Sequence, residues 1–384
     1  MKFELYINNH QYQTGIEDYI YSIKNIFSKN NKNINIVKTI SPDVDVLFVI
    51  ENFAKYPKEL LKFKEKSKFK STKICLIHTE FMNKEIYFNT FTTKEIFFRK
   101  CLLANLLSYL YQFEDSIFKK LIFYFLVLIY VIFGYILGFN FLEIKKRIIF
   151  ALRDHNFAKF VNIANYNITL SDNLYNSLIK NTNLKNIFYL QDYIDINVIE
   201  TFNSKDLNYN LLYLSGYKTP YRKYFIKKQN RNKYNNFIVK DRIRIDKYNF
   251  LKIEKIDFNL LFTKETEINK LINLYKKNHN INLSKFEIYI AQRRNWPYLS
   301  TTRIIRALRN ESIPINVGKY NKSNYDKLCI NIERLDSFVE NYNCLIEKYF
   351  SNLESNIEKF NYKSDNLFNC FLKHVTWILV FKRI

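Results

Sequence analysis

The sequence predicts an α/β protein made of two Rossmann-like halves, the first interrupted by a hydrophobic helical insertion. Three observations point there. Strand and helix signals alternate over residues 1–80 and again from Asn167 onward. Val44–Ile50 (VDVLFVI) is the kind of apolar run expected of a parallel strand buried on both faces. Leu121–Leu142 (LIFYFLVLIYVIFGYILGFNFL) then runs 22 residues without a charge and breaks the alternation. With 384 residues the chain is longer than a single core usually encloses, roughly 250–300 residues, so two domains are expected.

Taken in order, Lys2–Ile7 reads as a strand, Ile16–Phe27 as an amphipathic helix and Ile34–Thr39 as a second strand. After Val44–Ile50 comes a helix around Pro57–Phe69, its proline at the first turn, and then a strand at Lys73–Ile77. Beyond residue 94, Cys101–Phe113 is strongly apolar. Lys119 and Lys120 precede the uncharged run, and Lys145, Lys146 and Arg147 follow it. An apolar stretch of about 18 residues or more is the usual mark of a membrane helix, and basic flanks with Tyr and Phe fit an interface anchor. The alternative is a helix buried in a large core. The α/β pattern resumes with a strand at Asn167–Leu170, Ser171 capping a helix over Asp172–Lys180, and a strand at Ile187–Leu190. Polar residues 191–210 carry the expected domain boundary. The second half reads as strands at Leu211–Leu214, Asn236–Val239, Phe286–Ile290 and Ile313–Val317. Helices are expected at Tyr221–Lys228, Glu265–Lys277 and Thr301–Arg309, with further helices to the end. The expected domains are therefore 1–94 with 160–195, an insertion over 95–155, a second α/β domain over 205–335, and C-terminal helices over 336–384.

Composition narrows the class. A chain that is 48% hydrophobic and 17% aromatic can bury a large core, which excludes disorder. Only 5 Gly and 5 Pro exclude collagen-like and Pro-rich classes. The net charge of +24 has two readings. Abundant Lys, Asn, Ile, Phe and Tyr is what an AT-rich coding sequence produces, and the excess lysine belongs to that signature; the other reading is an anionic partner. Charge alone would favour a basic nucleic-acid-binding protein, but the basic residues follow no recognisable DNA or RNA module, so no nucleic acid is expected. Five cysteines, odd in number and without a CxxC pair, point to a reducing compartment and away from disulfides or a zinc site. The start MKFELYINNH has no signal-peptide core, so the expected location is cytoplasmic.

Chemistry-bearing residues concentrate in Gln292–Lys319 (QRRNWPYLSTTRIIRALRNESIPINVGK). Ser300, Thr301 and Thr302 sit at a predicted helix start, where free N–H groups and the helix dipole favour an anion. Arg303 and Arg306, one turn apart, could grip a phosphate with forked bonds. Leu211–Arg222 (LLYLSGYKTPYR) is a second candidate. Its strand ends in Ser215–Gly216, where a glycine allows close approach to a diphosphate, with Thr219 and Arg222 following. The alternative readings are an ordinary helix cap with solvated arginines and a plain turn. In the first half, His78 and Glu80 lie at the predicted carboxyl end of a strand, the edge where open α/β sheets bind ligands. Either could serve as a general base toward an acceptor hydroxyl, or His78 could be a structural hydrogen-bonding group. Asp43–Val44–Asp45 has the DxD spacing of a metal-binding motif but precedes its strand instead of following it, and no other metal spacing occurs. Pro220–Lys247 carries ten Lys/Arg against two Asp, either a solvated face or a contact for anionic lipid.

The strand followed by SGYKTPYRKYFI, and then FEIYIAQRRNWPYLSTTRIIRALRNESIPINVGKY, resembles the donor-binding domain of bacterial GT-B-fold glycosyltransferases of the cell-surface polysaccharide type. The resemblance covers about residues 205–330, is topological over 1–80 and 160–195, and does not extend over 95–150. It implies two Rossmann-like domains facing a cleft. A nucleotide-sugar serves as donor substrate, with no required metal and no cofactor, and a glycan or lipid-linked molecule is the acceptor. It further implies that Ser215, Gly216 and Arg222 line the diphosphate, and that Arg294, Ser300, Thr301 and Arg303 contact phosphate or sugar. Where many relatives carry a ribose-binding glutamate, this chain has Arg306. A catalytically silent binding or scaffold protein of the same fold is the alternative. A shared cleft also requires both flanks of Leu121–Leu142 on one side of a membrane. The expectation is therefore a monotopic insertion at the cytoplasmic face of the inner membrane.

Overall fold

The computed structural model describes residues 1–7, 16–51, 58–65, 71–79, 82–83, 86–87, 97–98, 101–111, 117–199, 211–214, 238–240, 286–290, 298–309 and 312–381. It is an α/β protein with two main parallel sheets, and its chain divides into two compact units. The first comprises Met1–His10, Ile34–Thr169 and Leu174–Phe188; the second comprises Gln11–Asn33, Leu170–Asn173 and Tyr189–Ile384.

The first unit is built on β1 (Phe3–Tyr6), β2 (Ile34–Val37), β3 (Val46–Ile50), β4 (Lys73–His78), β7 (Tyr166–Thr169) and β8 (Ile187–Tyr189), in the order β2-β1-β3-β4-β7-β8. Parallel pairing sets Phe3 beside both Ile34 and Val46, Val46 beside Lys73, and Cys75 beside Tyr166. All five residues of β3 and all six of β4 are buried, as expected of central strands covered on both faces. Leu47, Val49, Ile74 and Leu76 face one core cluster. Leu60 and Phe63 of α2 (Lys58–Glu65), and Leu174 and Leu178 of α6 (Asp172–Asn181), complete it. β5 (Met82–Asn83) and β6 (Ile86–Tyr87) form a separate antiparallel pair.

The uncharged run does not form one helix. α4 (Ile117–Ile136) stops short of its end, and α5 (Phe141–Ile163) starts within it. Gly138, with φ of 77°, takes the left-handed position that a side chain resists. The Phe139 N–H donates back to Gly134 O at 3.1 Å and the Gly138 N–H to Tyr135 O at 2.8 Å, which closes the helix. Asn140 then opens α5 through a capping box: its side chain accepts from the Glu143 N–H, and Glu143 accepts from the Asn140 N–H. Hydrophobicity over 22 residues reads as one helix, but local turn chemistry divides it. Among the described residues no helix is long and apolar enough to cross a membrane. α3 (Leu102–Tyr111), α4 and α5 pack around Phe98, Ala104, Leu107, Tyr130 and Ile144. The Tyr130 hydroxyl donates to Phe98 O at 2.7 Å. α4 and α5 cross closely at Gly134, where an added Cβ would lie 2.8 Å from Ile144 Cγ1.

The second unit holds a sheet of β9 (Leu211–Leu214), β10 (Ile238–Lys240), β11 (Phe286–Ile290), β12 (Ile313–Val317) and β13 (Ile330–Ile332), in the order β10-β9-β11-β12-β13. Every pair is parallel, with Phe286 beside both Leu212 and Ile313. β13 has no counterpart in the sequence reading, because three residues are too few to show a period. Among the described residues of this unit the helices are α1 (Glu17–Lys29), α7 (Thr301–Arg309), α8 (Leu335–Glu340) and α9 (Tyr342–Phe381). α1 buries Ile20, Ile23, Ile26 and Phe27, an apolar stripe at helical spacing. Residues 191–194, expected to be a polar boundary, are buried and bound to α9. Gln191 Nε2 donates to Phe360 O at 2.8 Å, the Ile194 N–H donates to Asn361 Oδ1 at 3.0 Å, and Asn361 Nδ2 donates to Ile194 O at 2.9 Å.

Candidate functional site

β11 and α7 run side by side, and one face of α7 presents arginines three residues apart: Arg303, Arg306 and Arg309. Each meets a different environment. Arg303, in the first turn, lays its guanidinium over the Tyr289 ring at 5.3 Å from the centroid. Tyr289 is buried near the carboxyl end of β11 and packs against Tyr320, 5.8 Å away. Among the described residues no carboxylate forms an ion pair with Arg303. Burial lowers its pKa, opposed by the charge interaction with Tyr289. Arg303 thus rests its cation on an aromatic face in the first turn of α7, and the charges of Glu287 and Asp18 act on it from within the same unit.

The helix start supplies the remaining donors. Ser300 O accepts from the Arg303 N–H at 3.2 Å and from the Ile304 N–H at 3.3 Å. The N–H groups of Thr301 and Thr302 lie in the first turn, where no intrahelical acceptor exists. Thr301 is buried, and its hydroxyl donates to Leu170 O at 3.4 Å, so it holds this turn and is not open to phosphate or sugar as the resemblance implied. Gly318, the residue after β12, has a φ of 126° that excludes ordinary side chains, and its N–H donates to Ile332 O at 2.8 Å.

Arg306 differs from its sequence expectation. Its Nη2 donates to Glu287 at 2.8 Å and its Nη1 to Asp18 at 3.1 Å. Both carboxylates are buried, at 2% and 4% residue exposure. The charge of Arg306 is thus committed inside the unit, where it neutralises Glu287 in the middle of the sheet, and a donor phosphate is not what it meets. Arg309, which the sequence reading passed over, lies 3.6 Å from Asp192 and stacks over Tyr21 at 4.7 Å. Asp192 also accepts from Ser22 and Asn25 of α1. A cavity of about 470 Å³ opens beside Arg309, lined by Tyr21, Lys24, Asn25, Ser28 and Tyr193 among others. Among the described residues, none of the sequence-predicted site residues lines it.

His78 also differs. It ends β4 as expected, yet its side chain is fully buried, edge-on to Phe157 with ring centroids 6.1 Å apart. Asn167 Nδ2 donates to Lys185 O at 2.9 Å, which turns Asn167 Oδ1 toward His78 Nε2 at 2.8 Å. That oxygen can only accept, so Nε2 carries the proton. Burial lowers the His78 pKa to about 4, with the Asn167 hydrogen bond opposing. The ring is a neutral hydrogen-bond donor enclosed in the sheet, not a base open to an acceptor hydroxyl. Asp43 and Asp45 are engaged by Lys2, Asp43 by its Nζ at 2.6 Å and Asp45 by its backbone N–H at 2.8 Å. Among the described residues no group of three or more His, Cys, Asp or Glu could hold a metal. Glu80, Ser215, Gly216, Thr219, Arg222 and Arg294 lie outside the described residues. Compared with protein-family models and with curated proteins, this chain finds no match.

Proposed function

We propose that this protein is a glycosyltransferase that moves a sugar from a nucleotide-activated donor to a cell-surface glycan or lipid-linked acceptor without a metal. In this reading the two parallel sheets are the cores of two Rossmann-like domains that face a cleft, with the donor on the second. The observation that carries it is Arg303: a partly buried cation with no carboxylate partner among the described residues, beside the start of α7 and near the carboxyl end of β11. Ligands of open α/β sheets bind at that edge, and a diphosphate would complete the charge. Arg294 takes its donor role by the resemblance alone, whereas Ser215, Gly216, Thr219 and Arg222 take theirs from the strand-end turn read in the sequence. Of the acceptor-side pair Glu80 is retained as base, since His78 is enclosed.

The enclosure of His78 is also the specific observation in favour of a second reading, a donor-binding protein of the same fold without transfer activity. The two readings share the nucleotide site and part at turnover. A thermal-shift screen against nucleoside diphosphates tests the shared part. A ligand at 100 times its dissociation constant adds about 2.7 kcal/mol of stability, which shows as a raised melting temperature. At least one nucleoside diphosphate should stabilise the chain, and Arg303→Ala should remove that shift. If none does, or if Arg303→Ala retains it, the donor site is refuted. Release of nucleoside diphosphate from a bound nucleotide-sugar on adding acceptor then separates enzyme from silent binder.

A further inference from the structure

α4 buries one face and leaves the other bare. Tyr130 on its inner side is fully buried against Phe98, with ring centroids 4.2 Å apart, and Ile144 of α5 closes the same cluster. On the outer side Phe118, Leu121, Phe125, Leu128, Ile132 and Ile136 follow one another at steps of three or four residues, so they form a stripe along the whole helix. Each is between 52% and 76% exposed. Six large side chains exposed to this degree already reach the roughly 300–600 Å² that is the largest apolar patch on an ordinary soluble monomer. Leu102 of α3 at 82% and Leu142 of α5 at 70% are further exposed apolar side chains of the same helical segment. Water is a poor solvent for such a face.

We propose that this face is an in-plane anchor that seats the protein in the surface of an anionic phospholipid bilayer. Charge distinguishes lipid from a protein partner. From Arg99 to Phe160 the chain carries nine Lys/Arg against four Asp/Glu, and none of these charges falls between Leu121 and Leu142. Lys119 and Lys120 lie at the start of α4, and Lys145, Lys146 and Arg147 in α5, so cationic positions bracket the apolar stripe in sequence on both sides. That arrangement matches anionic headgroups flanking an acyl boundary. Tyr124 and Tyr135 on the exposed side add the amphipathic rings favoured at that depth. Geometry selects lying over crossing. With 20 residues α4 is about 30 Å long, but its inner face is committed to Phe98 and Ile144, and the turn at Gly138 ends it. The helix therefore enters lipid by its outer face alone.

The anchor goes beyond the transferase reading and is tested without any sugar donor. The full chain is floated with vesicles of phosphatidylcholine and with vesicles containing one-third phosphatidylglycerol. It should float with the anionic vesicles, remain bound after a high-salt wash and bind neutral vesicles more weakly. Leu128→Glu with Ile132→Glu, both at exposed positions, should abolish flotation while leaving the circular-dichroism melt unchanged. Lys119→Gln with Lys120→Gln should weaken binding to anionic vesicles at least tenfold, on a scale of about 1 kcal/mol per lysine. Three results would overturn the proposal: no flotation with either vesicle, binding that high salt fully reverses, or a self-associated chain in solution that the double glutamate variant converts to monomer. The last would make the face a contact between copies of this chain.

Discussion

Arg303 and Arg306 sit one turn apart on the same helix face, yet they touch different groups, Arg303 the Tyr289 ring and Arg306 two carboxylates. Arg306 neutralises two buried carboxylates, Glu287 and Asp18. Removing it leaves both uncompensated in a low-dielectric interior, so Arg306→Ala should destabilise the chain by about 2–4 kcal/mol, the lower part of the usual range because the arginine keeps some exposure to water. Urea denaturation reads this directly. Arg303→Ala should do the opposite, costing about 1.5–3 kcal/mol of nucleoside diphosphate affinity by calorimetry with a denaturation midpoint near that of the parent. His78 gives a pH signature. Its folded pKa of about 4 lies below the ordinary histidine value of 6.5, so the unfolded chain binds the proton more readily. Stability should fall as pH drops from about 6.5 toward 4, by about 3 kcal/mol in all, and level off below. His78→Gln, which keeps an N–H aimed at Asn167 and has no ionisable group, should flatten the denaturation midpoint across that window.

At the scale of elements, the break between α4 and α5 decides how the hydrophobic segment is used. The turn depends on Gly138 at φ 77° and on the Asn140–Glu143 capping box. Gly138→Ala forces a side chain into the left-handed region and should cost about 1–2 kcal/mol. Asn140→Ala should cost about 1 kcal/mol by leaving the Glu143 N–H without its cap. Both losses should appear as earlier urea unfolding of the α3–α5 segment, followed by hydrogen exchange at amides of α4. An unchanged exchange pattern in Gly138→Ala would show that packing around Tyr130 and Ile144, and not the turn, holds the two helices.

For the whole molecule, cysteine chemistry follows from burial. Cys75 and Cys329 are buried in the two sheet regions, and desolvation raises both thiols well above their usual pKa. Cys344 and Cys370 of α9 are exposed, and Cys101 is half-buried. A thiol-reactive chromophore should therefore modify Cys344 and Cys370 quickly in the folded chain, Cys101 more slowly, and Cys75 and Cys329 only on unfolding. Mass mapping of the labelled peptides checks the assignment, and early modification of Cys75 would mean that the first sheet opens readily.

The sequence by itself determined the main alternation of strands and helices along the chain, the buried character of Val46–Ile50, the strand at Phe286–Ile290 and the helix at Thr301–Arg309. Each of these is a local period, and periods of two and 3.6 are written in consecutive residues. It also identified the helix start at Ser300–Arg303 from hydroxyl and arginine spacing. Only the tertiary structure decided which arginine is charge-compensated, because Glu287 and Asp18 lie 19 and 288 residues from Arg306 and no local pattern links them. The same holds for His78: a strand-end histidine looks identical in sequence whether it meets solvent or Phe157 and Asn167. Composition made 121–142 look like one helix. The structure divided it, since a single glycine in the left-handed region and one capping asparagine outweigh the hydrophobicity of their neighbours in setting where a helix ends.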